Sequence, residues 1–319
     1  RNLRTFALSK DKRTYSTIKS NTAMNKNSDN MAKAKPFIKW VGGKGQLIEQ
    51  IDALLPSDFE NWEDVTYIEP FVGGGAMLLY MLQRYHNIKH AVINDVNPDL
   101  TNLYWVVRDF PEALIKSLSI IENKYFALQN DEERRAFFLK RRDWYNAKNN
   151  DYIENAALFI FLNKTCFNGL YRVNKKGLFN VPFGKYKNPK ICDSATIRKD
   201  SELLQNVEIL TGDFEKTYKY AKGNTLFYFD PPYRPITKTS AFTDYTKDSF
   251  NDGSQVRLKE YCDKINKAGY KFMLSNSDCK DKFFDKLYAD YEINRVFASR
   301  SINCNGQKRG KLTEILVRN

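Results

Sequence analysis

Asp230-Pro231-Pro232-Tyr233 is the stretch of this sequence best equipped to do chemistry. The exocyclic amine of a nucleobase is a poor nucleophile because its lone pair is delocalised into the ring, so a reaction there needs acceptors that orient the N–H bonds. The Asp230 carboxylate and the Pro231 carbonyl can supply two, and consecutive prolines fix their geometry. Tyr233 offers a ring on which a planar base can stack, as enzymes that extrude a base from the duplex require.

A second constellation suits a nucleotide-like cofactor. Glu69-Pro70-Phe71-Val72-Gly73-Gly74-Gly75 follows an apolar run and opens a helix at Ala76. Glycines admit close backbone approach and positive φ, and the helix N-terminus behind them favours a negative group such as a carboxylate. This is not the dinucleotide fingerprint, because Leu78 stands where Gly-x-Gly-x-x-Gly needs its third glycine. Asp95, twenty residues after Gly75, has the placement of an acid that accepts hydrogen bonds from ribose hydroxyls. Lys39-Trp40-Val41-Gly42-Gly43-Lys44-Gly45 is no Walker loop, since Ile38 occupies the position of its first glycine. There Trp40 could wall the pocket and Lys44 pair with a carboxylate. Taken singly, the glycine cluster reads equally well as a structural turn, and the Lys39 segment as the start of an amphipathic helix.

The tract from Lys164 to Lys190 holds seven basic residues (Lys164, Arg172, Lys175, Lys176, Lys185, Lys187, Lys190) and no acid. Within it Leu170-Tyr171-Arg172-Val173, the turn Asn174 to Gly177, and Leu178-Phe179-Asn180-Val181 carry the signature of a hairpin, and a two-stranded ribbon fits the major groove. Arg172 could read a guanine bidentately. Phe167 and Asn168 suit a wedge that fills the gap left by an extruded base and an amide that holds its orphaned partner. A solvated loop is the plainer reading of the tract taken alone. Arg300, with Lys308, Arg309 and Lys311, forms a second basic segment suited to phosphates.

These groups need a frame. Val65–Glu69, residues 90–95, 207–210 and 225–230 are short β-rich runs, each closing on a polar or acidic residue and a turn, as buried parallel strands with ligand groups at their carboxyl ends do. About 110 residues separate the second and third runs, where a single helical crossover needs about 30, so something is inserted. The insert, Tyr104 to Ser194, reads as helices over 111–129, 131–148 and 153–163 followed by the hairpin. A helix over 255–268 and strands over 271–275 and 313–317 return the chain to α/β alternation. The chain of 319 residues carries a net charge of +13, which favours a polyanionic partner. The run from Ala156 to Leu162 is too short to span a bilayer, so no membrane association is expected. Five scattered cysteines without a Cys-x-x-Cys pair, and two histidines, His86 and His90, suggest neither a disulfide framework nor a metal site, and fit a reducing compartment. Residues 1–30 carry seven Lys/Arg against two acids without apolar periodicity, and read as an extension with some transit-peptide flavour.

In order along the chain from about Pro36, Lys39–Lys44, Phe71–Gly75, Asp95, the Asn163–Arg172 run, Phe179–Tyr186, Asp230–Tyr233 and the Arg300-Ser301-Ile302-Asn303 segment closely resemble the Dam-type DNA adenine-N6 methyltransferases of the D12 class, α group. The resemblance implies a Rossmann-like S-adenosylmethionine-dependent methyltransferase sheet with an inserted helical and β-hairpin target-recognition domain: 1–35 an extension, 36–103 with 195–319 catalytic, 104–194 reading DNA. It implies that Trp40, Lys44, Asp95 and Asp230 contact S-adenosylmethionine, with Phe71 and Gly73 of the loop and Asp213 as further candidates. Asp230, Pro231 and Tyr233 would hold the adenine. Lys39, Phe167, Asn168 and Arg172 would meet double-stranded DNA at GATC, with Lys164, Lys185 and Arg300 as further contacts and no metal needed. Lys164 stands where some relatives have arginine, and Phe167 where they have tyrosine; the first change loses a bidentate fork. A prokaryotic or phage-host cytoplasm and a companion restriction endonuclease belong to the same expectation. The rivals are the same chemistry on cytosine N4, RNA or a protein glutamine, and a non-catalytic DNA-binding protein on this scaffold. A zinc deaminase is excluded, because the chain lacks its His-x-Glu and Pro-Cys-x-x-Cys pair.

Overall fold

The computed structural model describes residues 34–235, 250–298 and 312–319. The described residues form one compact unit around a seven-stranded sheet in the order β3-β2-β1-β4-β5-β7-β6. The strands are β1 (Val65–Glu69), β2 (Ile88–Asp95), β3 (Val207–Thr211), β4 (Thr225–Phe229), β5 (Lys271–Ser277), β6 (Glu292–Ala298) and β7 (Leu312–Arg318). The first five run parallel, and β7 lies antiparallel to both β5 and β6. β1 and β4 are buried throughout, which is why they read as continuous apolar runs. Successive residues serve opposite faces: Tyr67 and Ile93 join one core, Ile68 and Val92 the other.

One face is covered by α1 (Ala76–Arg84), α2 (Pro98–Asp109) and, beyond the insert, α6 (Ser194–Leu204); the other by α7 (Asp252–Lys267), which contributes Leu258, Tyr261, Cys262 and Ile265. The arrangement is the expected Rossmann-like α/β sheet. The chain builds outward from β1 through β2 to β3, then returns to place β4 on the other side of β1. Strand order therefore reverses between β1 and β4, and a doubly wound sheet binds ligands in the crevice at such a switch point, beyond the carboxyl ends of the strands. The glycine loop leaves β1 there and Asp230 follows β4.

The inserted helices are α3 (Pro111–Phe126), α4 (Asp131–Asn146) and α5 (Tyr152–Thr165). Side-chain caps start two of them: Asn130 accepts from the Glu133 amide and Asp151 from the Glu154 amide. Every residue from Ala156 to Asn163 is buried, so the longest apolar run is a central helix held on α2, α3 and α4. The expected hairpin forms as isolated bridges, Val173 with Phe179 and Cys166 with Phe183, closed by the Gly177 amide on the Asn174 carbonyl at 2.8 Å, and not as a regular ribbon. The Val173–Phe179 bridge is closed by the Asn174 amide on the Leu178 carbonyl (2.9 Å) and the Asn180 amide on the Arg172 carbonyl (3.1 Å), and on the outer side of that arm the Asn146 amide of α4 takes both the N–H (2.8 Å) and the C=O (3.0 Å) of Phe179. Residues 34 and 35, assigned above to the extension, are attached: the Ala34 and Gln83 amides exchange two hydrogen bonds, and the Lys35 amide donates to Asp200.

Gly75 adopts φ +71° at the N-cap of α1, and a Cβ there would strike the Tyr104 hydroxyl. Gly75→Ala is expected to destabilise the protein by about 2–4 kcal/mol through backbone strain and that clash. Chemical denaturation measures it, and wild-type stability in the variant would contradict this account.

Candidate active site

At the carboxyl end of β2 the buried Asn94 ties neighbouring loops together: its amide donates to the carbonyls of Pro70 and Gly212, both at 2.9 Å. Asp95 then turns its carboxylate towards the glycine loop, accepting from the Gly73 amide (3.2 Å) and the Asn97 amide (2.9 Å). Burial pushes the Asp95 carboxyl above the ordinary range, and these amides partly hold it down. Trp40 lies against the loop so closely that a Cβ on Gly73 would come within 2.8 Å of its indole nitrogen, and one on Gly74 within 2.7 Å of its Cβ. Its other neighbour is Tyr171, stacked at 5.7 Å. Trp40, Gly73 and Asp95 thus meet as the sequence expected, with the largely exposed aliphatics Val41 and Val96 beside them. Phe71 and Asp213 are spoken for elsewhere. Phe71 packs among Phe214, Phe229 and Phe250, while Asp213 caps the short helix Phe214–Tyr220 and pairs with Arg257.

The Asp230 corner is a charge cluster. Lys44, 4% exposed, lies 2.9 Å from the Asp230 carboxylate and 3.5 Å from Glu314, donates to the Tyr233 hydroxyl at 2.7 Å, and sits 4.4 Å from the centre of its ring. Tyr233 donates in turn to Glu314 at 2.6 Å. Burial pushes the Asp230 carboxyl up to about 6 despite the Lys44 ammonium, and Glu314 adds to the rise. The backbone of the corner is braced from two sides: Gln255 of α7 donates to the Pro232 carbonyl (3.1 Å), Asn276 accepts from the Arg234 amide (3.3 Å), and Ser277 donates to the Arg234 carbonyl (2.7 Å). Lys44 therefore pairs with a carboxylate, as expected, but with the protein's own.

Glu314, Gln255 and Asn276 escaped the sequence reading, which gave Glu69 no role beyond closing its strand. The one available signal was an acid inside an apolar strand, which Glu314 shows in Leu312–Arg318.

On the basic side, Phe167 is 51% exposed and Asn168 adopts φ +54° in the turn Phe167–Gly169. That turn is latched by Asn163, buried on α5, whose side chain accepts from the Lys39 amide (2.8 Å) and donates to the carbonyls of Lys39 (2.8 Å) and Gly169 (2.9 Å). Arg172 is exposed and steadied by Asn180 at 2.8 Å, and Lys185 is exposed at φ +53°. Lys39 and Lys164 line a groove of about 300 Å³ with residues 186–190. Burial, then the neighbouring Lys39, pull the Lys164 ammonium down to about 8. Arg300 lies outside the described residues. Among the described residues no group of three or more His, Cys, Asp or Glu could hold a metal ion, and no helix is long and apolar enough to cross a membrane.

A glycine loop and a strand-end acid on one side of a switch point, with an Asp-Pro-Pro-Tyr corner on the other, define a Rossmann-like methyltransferase acting on an amine. Residues 40–302 match the family model of the D12 class N6 adenine-specific DNA methyltransferases. The type II methyltransferase M.MjaIII of Methanocaldococcus jannaschii is 50% identical over 288 residues, covering 89% of this chain and 99% of its own. M1.LlaDCHI of Lactococcus lactis is 39% identical over 302 residues (93% and 99%), and the DNA adenine methylase of Vibrio cholerae 33% over 289 (90% and 96%). The chain belongs to the D12 class of DNA adenine-N6 methyltransferases.

Glu69 yields a pH dependence. Burial pushes its carboxyl up to about 8 from 4.5, the Tyr67 hydroxyl (2.7 Å) resisting and Asp230 adding. An acid that holds its proton more tightly when folded contributes stability that is complete below pH 4.5 and lost as the pH rises towards 8. Glu69→Gln should remove about 2–4 kcal/mol of the stability decline between about pH 5 and about pH 8. Melts of both proteins across that range test it; parallel curves would rule it out.

Proposed function

We propose that the enzyme transfers a methyl group from S-adenosylmethionine to N6 of an adenine rotated out of duplex DNA, within GATC. The observation that carries this reading is the Asp230 carboxylate, held at the switch point by a buried ammonium beside the Tyr233 ring. S-Adenosylmethionine supplies an electrophilic methyl on a sulfonium. The residues fit that donor: each Asp95 oxygen holds one backbone N–H and keeps a lone pair for a ribose hydroxyl, and the Gly73 and Gly74 positions leave room for no side chain against Trp40. Asp230 and the Pro231 carbonyl then accept the two N6–H bonds, turning the nitrogen lone pair out of the ring plane and stabilising the positive charge that develops on it. With its carboxyl at about 6, Asp230 is ionised at neutral pH, which makes it the stronger of the two acceptors.

On this reading the insert, drawn at 104–194 from the sequence and running from Pro111 to residue 193 once α2 and α6 are assigned to the sheet's covering layer, forms the target-recognition part. Phe167 fills the space the adenine leaves, Asn168 holds the orphaned partner, Arg172 reads a base edge, and Lys39, Lys164 and Lys185 meet the backbone. The GATC assignment rests on the resemblance of the Asn163–Arg172 run, and a companion endonuclease would share that site.

Asp230→Ala should abolish methyl transfer from tritiated donor to duplex oligonucleotides while DNA affinity stays within about twofold; a near-normal rate would remove the mechanism. Arg172→Ala should lose about 1–3 kcal/mol of discrimination at one base pair. Competition between the target duplex and single-substitution duplexes reads it, and an unchanged preference would take Arg172 out of recognition.

A further inference from the structure

We propose that Glu314 is a positioning residue for the transfer: its carboxylate holds the Tyr233 hydroxyl and shares the Lys44 ammonium with Asp230. It lies outside residues 40–302, the span that matches the family model. The sheet register places it. On β7 it stands opposite Ser277 of β5, and the Ser277 hydroxyl donates to the Arg234 carbonyl at 2.7 Å, so one rung of the sheet carries both a brace for the corner's backbone and an acceptor for its tyrosine. Ile315, Leu316 and Val317, which follow on the strand, are fully buried, while the Glu314 side chain is 12% exposed. A carboxylate so placed is costly without partners, and it has two: the Tyr233 hydroxyl at 2.6 Å and the Lys44 ammonium at 3.5 Å.

Two consequences follow. A tyrosine ring can rotate about its χ angles, and a base stacks well only on a ring that stays put; the short hydrogen bond removes that freedom without touching the substrate. Glu314 also sets the charge that Asp230 meets. The groups facing Asp230 are Lys44, Tyr233, Glu314, Tyr228, Tyr67 and Glu69, of which Lys44 supplies the positive charge and Glu314 opposes it. Asp230 alone would have the ammonium to itself; with Glu314 present the ammonium is divided, and the Asp230 carboxylate remains a stronger acceptor for N6–H. The inference rests on the reading of Asp230 and Tyr233 as the adenine-holding residues.

The test uses the full chain, tritiated S-adenosylmethionine and a GATC-containing duplex, with kcat and KM followed from about pH 5 to about pH 9. Wild-type kcat should rise through an acid limb near 6, where Asp230 ionises. Glu314→Gln should lower kcat on the order of tenfold and move the acid limb down by about one pH unit. The KM values for duplex and donor should stay within about twofold. Glu314→Asp keeps the charge but withdraws it from the hydroxyl, so its limb should stay in place while kcat still falls. Wild-type kcat and limb in Glu314→Gln overturn the inference; if that variant does not fold, wild-type kcat in Glu314→Asp does so. An active Asp230→Ala enzyme would sink the catalytic reading itself, whereas an inactive one beside an unaffected Glu314→Gln sinks only the role of Glu314.

Discussion

A lysine almost sealed from water is the constraint on which this crevice is built. Stripping an ammonium of its hydration costs several kcal/mol unless well-placed anions and acceptors replace the lost water. Lys44 finds them in Asp230, Glu314, the Tyr233 hydroxyl and the Gly42 carbonyl, drawn from three separate stretches of the chain. Satisfying that one charge thus pins the segment before β1, the turn after β4 and strand β7 to one another. The corner that holds the adenine on our reading is thereby fixed by the protein's own side chains.

The sheet makes this convergence possible. Had β4 been added outside β3, the glycine loop and the Asp-Pro-Pro-Tyr turn would leave the sheet several strands apart. Because strand order reverses at β1, their departure points are neighbours, with Ile68 in register with Phe227. Side chains from the layers on both sides then secure them: Tyr104 of α2 donates to the Gly73 carbonyl at 2.9 Å, and Gln255 of α7 to the Pro232 carbonyl. Neutral hydrogen bonds to backbone thus add to the pinning by the Lys44 charge, and ion pairs from Arg234 to Asp252 and Asp281 hold the residue that follows Tyr233.

Much of this was legible in the sequence. The parallel strands announce themselves as apolar runs because both of their faces are covered, and the glycine loop and Asp-Pro-Pro-Tyr turn are written in residues whose backbone behaviour is distinctive. Glu292–Ala298 was missed because it lies at the sheet edge, where its alternation of apolar and polar residues is weak. Helices α2 and α6 were not read as elements, and the boundary drawn at Tyr104 cuts through α2, since nothing local says that the long excursion leaves from one crossover helix and returns through another. The ribbon was over-read: the pattern of Leu170 to Val181 shows two arms and a turn, but it cannot show that the arms pair only around Val173 and Phe179, or that Asn146, more than thirty residues from Phe179, holds the outer edge. Glu314 was invisible for a similar reason, because its meaning depends on a partner 81 residues away.

The latch formed by Asn163 divides the inserted part into two regimes of change. Around it everything interlocks: a side chain on Gly169 would run into Lys39, whose neighbour Trp40 rests on the glycine loop, so altering that turn also disturbs the donor's pocket. At the tip the surroundings are open, for nothing lies within 4 Å of a Cβ built on Gly177, although its φ of +74° still favours glycine at that one position. On the reading of the insert as the target-recognition part, a new preferred word in DNA would be written in the open arms around the tip, while the turn beside the glycine loop could change only together with that loop.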